Sequence, residues 1–291
     1  MHWKQQGLST HTPKLNLLVA YPYMSQVKID LIRQNSGVIR FLLDSGAFTA
    51  QQLGKKISLD EYCKFIESLP YEPWKYFTLD VIGNPEKTIK NYETMLERGF
   101  KPVPILTQGE SLSVMDEFWR TSDVVGVGGL VDVPLKEKQR FIYKVMKHAN
   151  GRRVHWLGFT NDQFVKHFRP YMCDSSALTG ADRFGQLMIY QGNGRYKMLK
   201  KSDFSKKPDE ADLRKIAGWG FNPYELKSIR NWHGGESLSS KISARSYLEK
   251  SCDYEKNLSV KLFLAAATDK ATINLVHAIN QKVKSEGARN V

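Results

Sequence analysis

Short apolar runs recur from residue 15 to about residue 190, and most are followed by a turn and a segment of helical period. LNLLVAYPYM (15–24) is strand-like, and a polar, partly helical connection leads to FLLDSGAF (41–48). At 58–69, Ser58 stands three residues before Glu61, the pattern of a capping box at a helix start. KYFTLDVIGNP predicts a strand over 75–80 and a turn at Gly83 to Pro85, with Pro85 in the first turn of a helix that stops before Gly99. KPVPILTQG is a further strand reaching Gln108 and Gly109, SLSVMDEFWRTS a helix, and DVVGVGGLV a strand with Gly128 and Gly129 at its exit. LKEKQRFIYKVMKHAN has helical period and ends near Asn150 and Gly151. RRVHWLGFT reads as a strand, NDQFVKHFRPY as a short helix, MCDSSALTG as a brief strand ending at Asp174, and QLMIYQ (186–191) as the last strand.

That makes eight candidate strands, most of them separated by helices and short turns. The class is α/β, and the alternation predicts a (β/α)8 TIM-type barrel with a C-terminal helical extension. A doubly wound open sheet shares the alternation, but no Gly-rich nucleotide fingerprint follows the first strand. Beyond about Lys200 the texture changes. Residues 206–291 are polar with helical periods, and KLFLAAATDKATINLVHAINQKVK is the clearest helix or helix pair. The expected division is therefore a barrel over 1–200 and a helical region over 201–291 that closes and extends it.

Composition narrows the class without naming a chemistry. The 291 residues are 41% hydrophobic and 25% charged, an ordinary globular balance. Cys63, Cys173 and Cys252 lie far apart, which argues against a disulfide framework and against a cysteine-rich metal site. The start, MHWKQQGLSTHTPK, lacks a secretory pattern, and no run is long enough to span a bilayer, so a cytoplasmic protein without membrane partners is expected. Net charge is +13, from 43 Lys and Arg against 30 acids. Such an excess favours a polyanionic partner, most simply nucleic acid, although a basic surface can also serve solubility alone. The excess is heavy in KMLKKSDFSKKPDE and HGGESLSSKISARSYLEK.

The candidate chemistry sits at the strand ends. Asp44, Asp80, Gln108, Gly128 with Gly129, and Asp174 all converge on one face if the barrel forms. Singly each has a plain explanation: Asp80 can cap the next helix, and Asp174 can open an Asp-Ser-Ser turn. Together they place three carboxylates close enough to shift one another's ionisation, the usual means of dividing acid, base and nucleophile roles.

DSGAF resembles the DSGGF or DSGGY signature of the tRNA-guanine transglycosylase superfamily, whose members are (β/α)8 barrels. LD at the third strand, TQG, VGVGGLV, HWLGFT and CDSSALTGADRFGQL resemble further family segments in the family's order, and the likeness covers roughly residues 15–190. The resemblance implies exchange of guanine in a nucleic acid for a 7-deazaguanine base, without a cofactor, by two displacements at the sugar's anomeric carbon. Asp174 would be the nucleophile and Asp44 the general acid/base. Asp80 would accept hydrogen bonds from the purine, Ser45 would lie in the base site, and Gln108 with the backbone of Gly128, Gly129 and Leu130 would read the remaining polar atoms. Phe48 would stack on one face of the base, with Leu157 or Trp156 on the other. A guanine paired in a duplex must first be flipped out or presented in a single strand.

The tRNA enzymes carry three closely spaced cysteines and a histidine for zinc, and this chain has no such set; Ala47 also replaces the second Gly of their signature. The resemblance is therefore strongest to the DNA-guanine transglycosylases of phages and bacterial genomic islands, which place derivatives such as preQ0 into DNA. DNA and a free 7-deazaguanine base are the expected partners. Three other readings stay open: the same exchange on tRNA, a nucleoside or glycoside hydrolase using the Asp44 and Asp174 pair, and a non-catalytic nucleic-acid-binding barrel.

Overall fold

The computed structural model describes residues 12–130, 133–178, 184–205 and 208–287. Most of the first predicted non-secretory stretch, residues 179–183 of the Asp174 segment, and Lys206 and Lys207 of the basic run lie outside the described residues.

Among the described residues ten strands form: β1 (Leu15–Ala20), β2 (Ile39–Asp44), β3 (Lys75–Tyr76), β4 (Ile105–Thr107), β5 (Val125–Gly128), β6 (Val154–Trp156), β7 (Met172–Ser175), β8 (Gln186–Gly192), β9 (Arg195–Lys200) and β10 (Lys261–Ala265). Eight of them make one parallel sheet in the order β3-β2-β1-β10-β7-β6-β5-β4. The sheet is curled, with helices around it, in the manner of a TIM-like fold. Its edges approach each other: Phe77 and Val103 form a single parallel bridge, and Thr78 N donates to Val103 O at 3.0 Å. That bridge is not expected of an open doubly wound sheet, whose edge strands lie far apart.

Both faces of the sheet are buried, so alternation within each strand sorts side chains into two layers. In β2, Phe41 and Leu43 point outward into the layer shared with the helices, while Leu42 points into the curl. The inner layer contains Leu18, Leu42, Phe77, Val103, Ile105, Val124, Met172 and Phe263, drawn from nearly every strand. At the N-terminal ends of the strands the interior is stoppered by Trp74, which stacks on Phe263 at 5.7 Å and lies under the Arg40 guanidinium at 5.3 Å. Arg40 is in turn paired with Glu255 at 2.8 Å. The other mouth of the curl lies at the C-terminal ends.

The outer helices are α1 (Gln26–Gln34) after β1, α2 (Ala47–Gln52) and α3 (Leu59–Ser68) after β2, and α4 (Pro85–Glu97), α5 (Ser113–Thr121), α6 (Leu135–Ala149) and α7 (Asp162–Phe168) after β3 to β6 in turn. Asn84 caps α4 by accepting from Lys87 N, with Pro85 at the first helical position as the sequence predicts. The capping box at Ser58 does not form: α3 starts there, but the Ser58 hydroxyl makes no cap bond, and at this exposed end solvent can serve the free N–H groups.

The last strand of the sheet differs from expectation. Residues 186–191 do not join the sheet but pair with β9 in a separate antiparallel hairpin. Its two-residue turn, Asn193-Gly194, has positive φ at both positions (50° and 75°), the backbone a tight hairpin needs. The eighth parallel strand is β10, from the start of the segment read as wholly helical, and it lies between β1 and β7.

Between β7 and β10 the chain adds the hairpin, α8 (Lys201–Ser205), α9 (Glu210–Gly218) and two 3-10 turns. These pack around their own apolar cluster of Leu187, Ile189, Leu199, Phe204, Ile216, Leu226 and Trp232. Then α10 (Leu238–Leu258) returns along the sheet and α11 (Asp269–Gly287) follows β10. Small buried residues on α10, including Ser243, Ala244 and Ser246, let it lie between the sheet and the hairpin. The Ser246 hydroxyl accepts from Tyr190 N at 2.7 Å and that of Ser243 from Met188 N at 3.4 Å, so helix serines serve the free edge of β8. Among the described residues no helix is long and apolar enough to cross a membrane.

Candidate functional site

Alternation sends Asp44, the last residue of β2, to the same side as Leu42, and Asp174 to the same side as Met172. Both carboxylates therefore stand at the C-terminal mouth of the curl, on strands separated by β1 and β10. Asp80 follows β3 at the neighbouring strand end.

At Asp44 the chain must turn sharply. Gly46 has φ +74°, and a Cβ there would fall 2.2 Å from Pro22 Cδ, so only glycine fits. Ala47 is the first residue of α2, which explains why the turn needs no second glycine. Gly46 N donates to Asp44 Oδ2 at 3.2 Å, and the buried Ser45 hydroxyl donates to Asp80 Oδ1 at 2.6 Å. Ser45 thus ties two of the acids into one unit. Phe48, in the first turn of α2, is half-buried.

Burial pushes the Asp44 carboxyl up to about 7, and the charges of Asp80 and Asp174 push the same way. Burial also raises Asp80, against the opposing hydrogen bond from Ser45. Asp174 is anchored through one oxygen: Oδ1 accepts from Gly158 N at 3.0 Å and lies 2.9 Å from His155 Nε2. His155 is fully buried on β6, with the Phe77 ring 4.9 Å from its own. No residue-type expectation had singled it out. The signal was present as a lone polar ring inside a strand whose neighbours are apolar.

The residues expected to read a purine stand at the ends of β4 and β5. Gly128 ends β5, and Gly129 takes φ +71°, where a Cβ would meet Thr107 Cγ2 at 2.8 Å and Gln108 N at 3.0 Å. The strand ends of β4 and β5 are therefore pressed backbone to backbone. Gln108 is half-buried and lines an open cleft with Glu110, Glu137, Arg140 and Lys144. Leu130 turns its side chain into the outer apolar layer, leaving only its backbone for the mouth.

Of the two residues expected opposite Phe48, Trp156 is excluded. It is fully buried in the outer layer against Phe159 and Phe168, on the far side of β6 from His155. Leu157 packs half-buried against the inner layer and remains the candidate.

Cys63, Cys173 and Cys252 are unpaired thiols, and among the described residues no group of three His, Cys, Asp or Glu side chains is placed to hold a metal ion. Comparison of the chain with protein-family models and with curated proteins gives no match.

Proposed function

We propose that the protein is a base-exchanging transglycosylase that replaces guanine in DNA with a 7-deazaguanine derivative of preQ0 type. The observation that carries this reading is the pair of unlike carboxylates at one mouth: Asp44, held near 7, and Asp174, tethered through a single oxygen. The Phe77–Val103 bridge supports reading the curled sheet as a closed (β/α)8 barrel, in which that mouth is the reactive end.

In the first displacement a lone pair of Asp174 forms a bond to the anomeric carbon, and the bond from that carbon to guanine N9 breaks. The electron pair leaves with the purine, which takes a proton from Asp44. In the second, Asp44 removes the N9 proton of the incoming base, N9 attacks the same carbon and Asp174 departs. A carboxyl near 7 can serve both halves at neutral pH. Asp80, oriented by Ser45, suits the ring N–H and amino group of the purine, and Gln108 with the Gly128–Gly129 backbone suits its remaining polar edge. Phe48 and Leu157 supply the stacking faces. The net charge of +13 fits a polyanionic substrate, and the lack of a cysteine set for zinc favours DNA over tRNA.

The test is an exchange assay with purified protein, labelled guanine and two acceptors, DNA and total tRNA. Label is expected in DNA, and Asp174→Ala is expected to abolish it. Label in tRNA alone would reassign the polymer, and base release without label entry would make the protein a hydrolase.

A further inference from the structure

The inner positions around β6 are apolar: Phe77, Ile105, Val124, Met172 and Phe263. A histidine among them carries a desolvation cost that a methionine of similar size would avoid, so packing alone does not account for His155. Its geometry does. Nε2 lies 2.9 Å from Asp174 Oδ1, whereas Nδ1 is buried without a hydrogen-bond partner among the described residues. A proton on Nδ1 would be a buried donor with no acceptor, so the favoured ring carries its proton on Nε2 and donates it to Asp174. Gly158 N supplies a second donor to the same oxygen from the loop after the same strand. Among the described residues Oδ2 of Asp174 accepts no hydrogen bond.

We propose that His155 is a positioning residue that pins Oδ1 of Asp174 and thereby presents Oδ2 as the attacking oxygen. The assignment rests on the base-exchange reading for its chemistry, but the hydrogen bond itself does not. Both donors arise within four residues of β6 and its exit loop, so one strand end sets the rotation of a carboxylate carried by the next. A nucleophile aimed this way loses little freedom on reaching the sugar carbon.

Two measurements on the full chain test it. Long-range proton–nitrogen NMR of the free protein reports which ring nitrogen of His155 is protonated. Nε2 is expected, with its signals displaced in Asp174→Asn; a proton on Nδ1 overturns the proposal whether or not the protein exchanges bases. Single-turnover trapping of the covalent adduct then compares His155→Phe, which keeps the ring shape without a donor, with His155→Gln, which keeps a donor. The Phe variant should lose roughly tenfold to a hundredfold in the rate of adduct formation, with KM for DNA little changed, and Gln should recover most of it. Equal losses in both variants, or none in Phe, overturn the positioning role. A wild-type protein that forms no adduct, yet shows the Nε2 proton and its response to Asp174→Asn, overturns the base-exchange reading and leaves the hydrogen bond standing.

Discussion

At the scale of the residue, the site is built by spending stability on ionisation. Asp44 binds its proton up to about 7 in the fold, against an ordinary value of 3.8. Between those values the folded chain holds more protons than the unfolded chain, so this group's contribution falls as pH rises from about 4 to about 7 and stays low above that. Asp44→Asn is therefore expected to be more stable than wild type at pH 8, on the order of 3 kcal/mol, with a smaller gap at pH 5. Denaturant midpoints of both proteins at the two pH values decide it, and an Asn variant no more stable than wild type at pH 8 contradicts the burial argument. The same carboxyl should give base exchange an alkaline limb, because the fraction able to protonate departing guanine falls tenfold per pH unit above about 7.

At the scale of the element, the long helix α10 shows how a polar contact fixes an insertion. Ser246→Ala leaves Tyr190 N without its acceptor in a buried seam and should cost about 1–3 kcal/mol in unfolding experiments, more than an exposed Ser→Ala change. Amide exchange at Tyr190 should accelerate in the variant, and unaltered protection there would show that the bond does little. The elements also separate what could be read in the chain from what could not. β1 to β6 were legible because each is an apolar run with a helix behind it, and β7 because a short apolar run stops at Asp174. β10 was hidden because KLFLA runs directly into AATDKATINLV, and four apolar residues beside a helical period carry no strand signal of their own. Its place was given to 186–191, although Asn193-Gly194 just beyond marks a hairpin rather than a strand crossing back through a helix. The acids of the site were legible because they stop apolar strands at their C-terminal ends. His155 was not, since the side of β6 it faces follows from alternation relative to Met172, Phe77 and Asp174, which only the assembled sheet displays.

At the scale of the whole molecule, the cationic excess is partly used internally. Lys197 pairs with Asp209 and Asp212, and Lys215 donates to Tyr190 O. Lys200, at the exposed end of β9, and Lys201, at the start of α8, stand on the insertion that leaves the sheet after Asp174. Changing both to Glu should weaken DNA binding and lower the slope of log affinity against log salt by about 1–2, as expected when one or two phosphate contacts are lost. An unchanged slope across a salt titration would move the polymer surface elsewhere. The strand order has a further consequence, for the way the chain is made. β1 leaves the ribosome well before one of its two partners, β10, since Leu17 pairs with Leu264. Until then β1 has β2 on one side and an unfilled edge on the other, and β7 waits in the same way. The seam cannot close gradually during synthesis. It closes once, late, when a five-residue strand slots between two waiting edges, and a chain stopped short of Lys261 would keep both edges open to association with other chains.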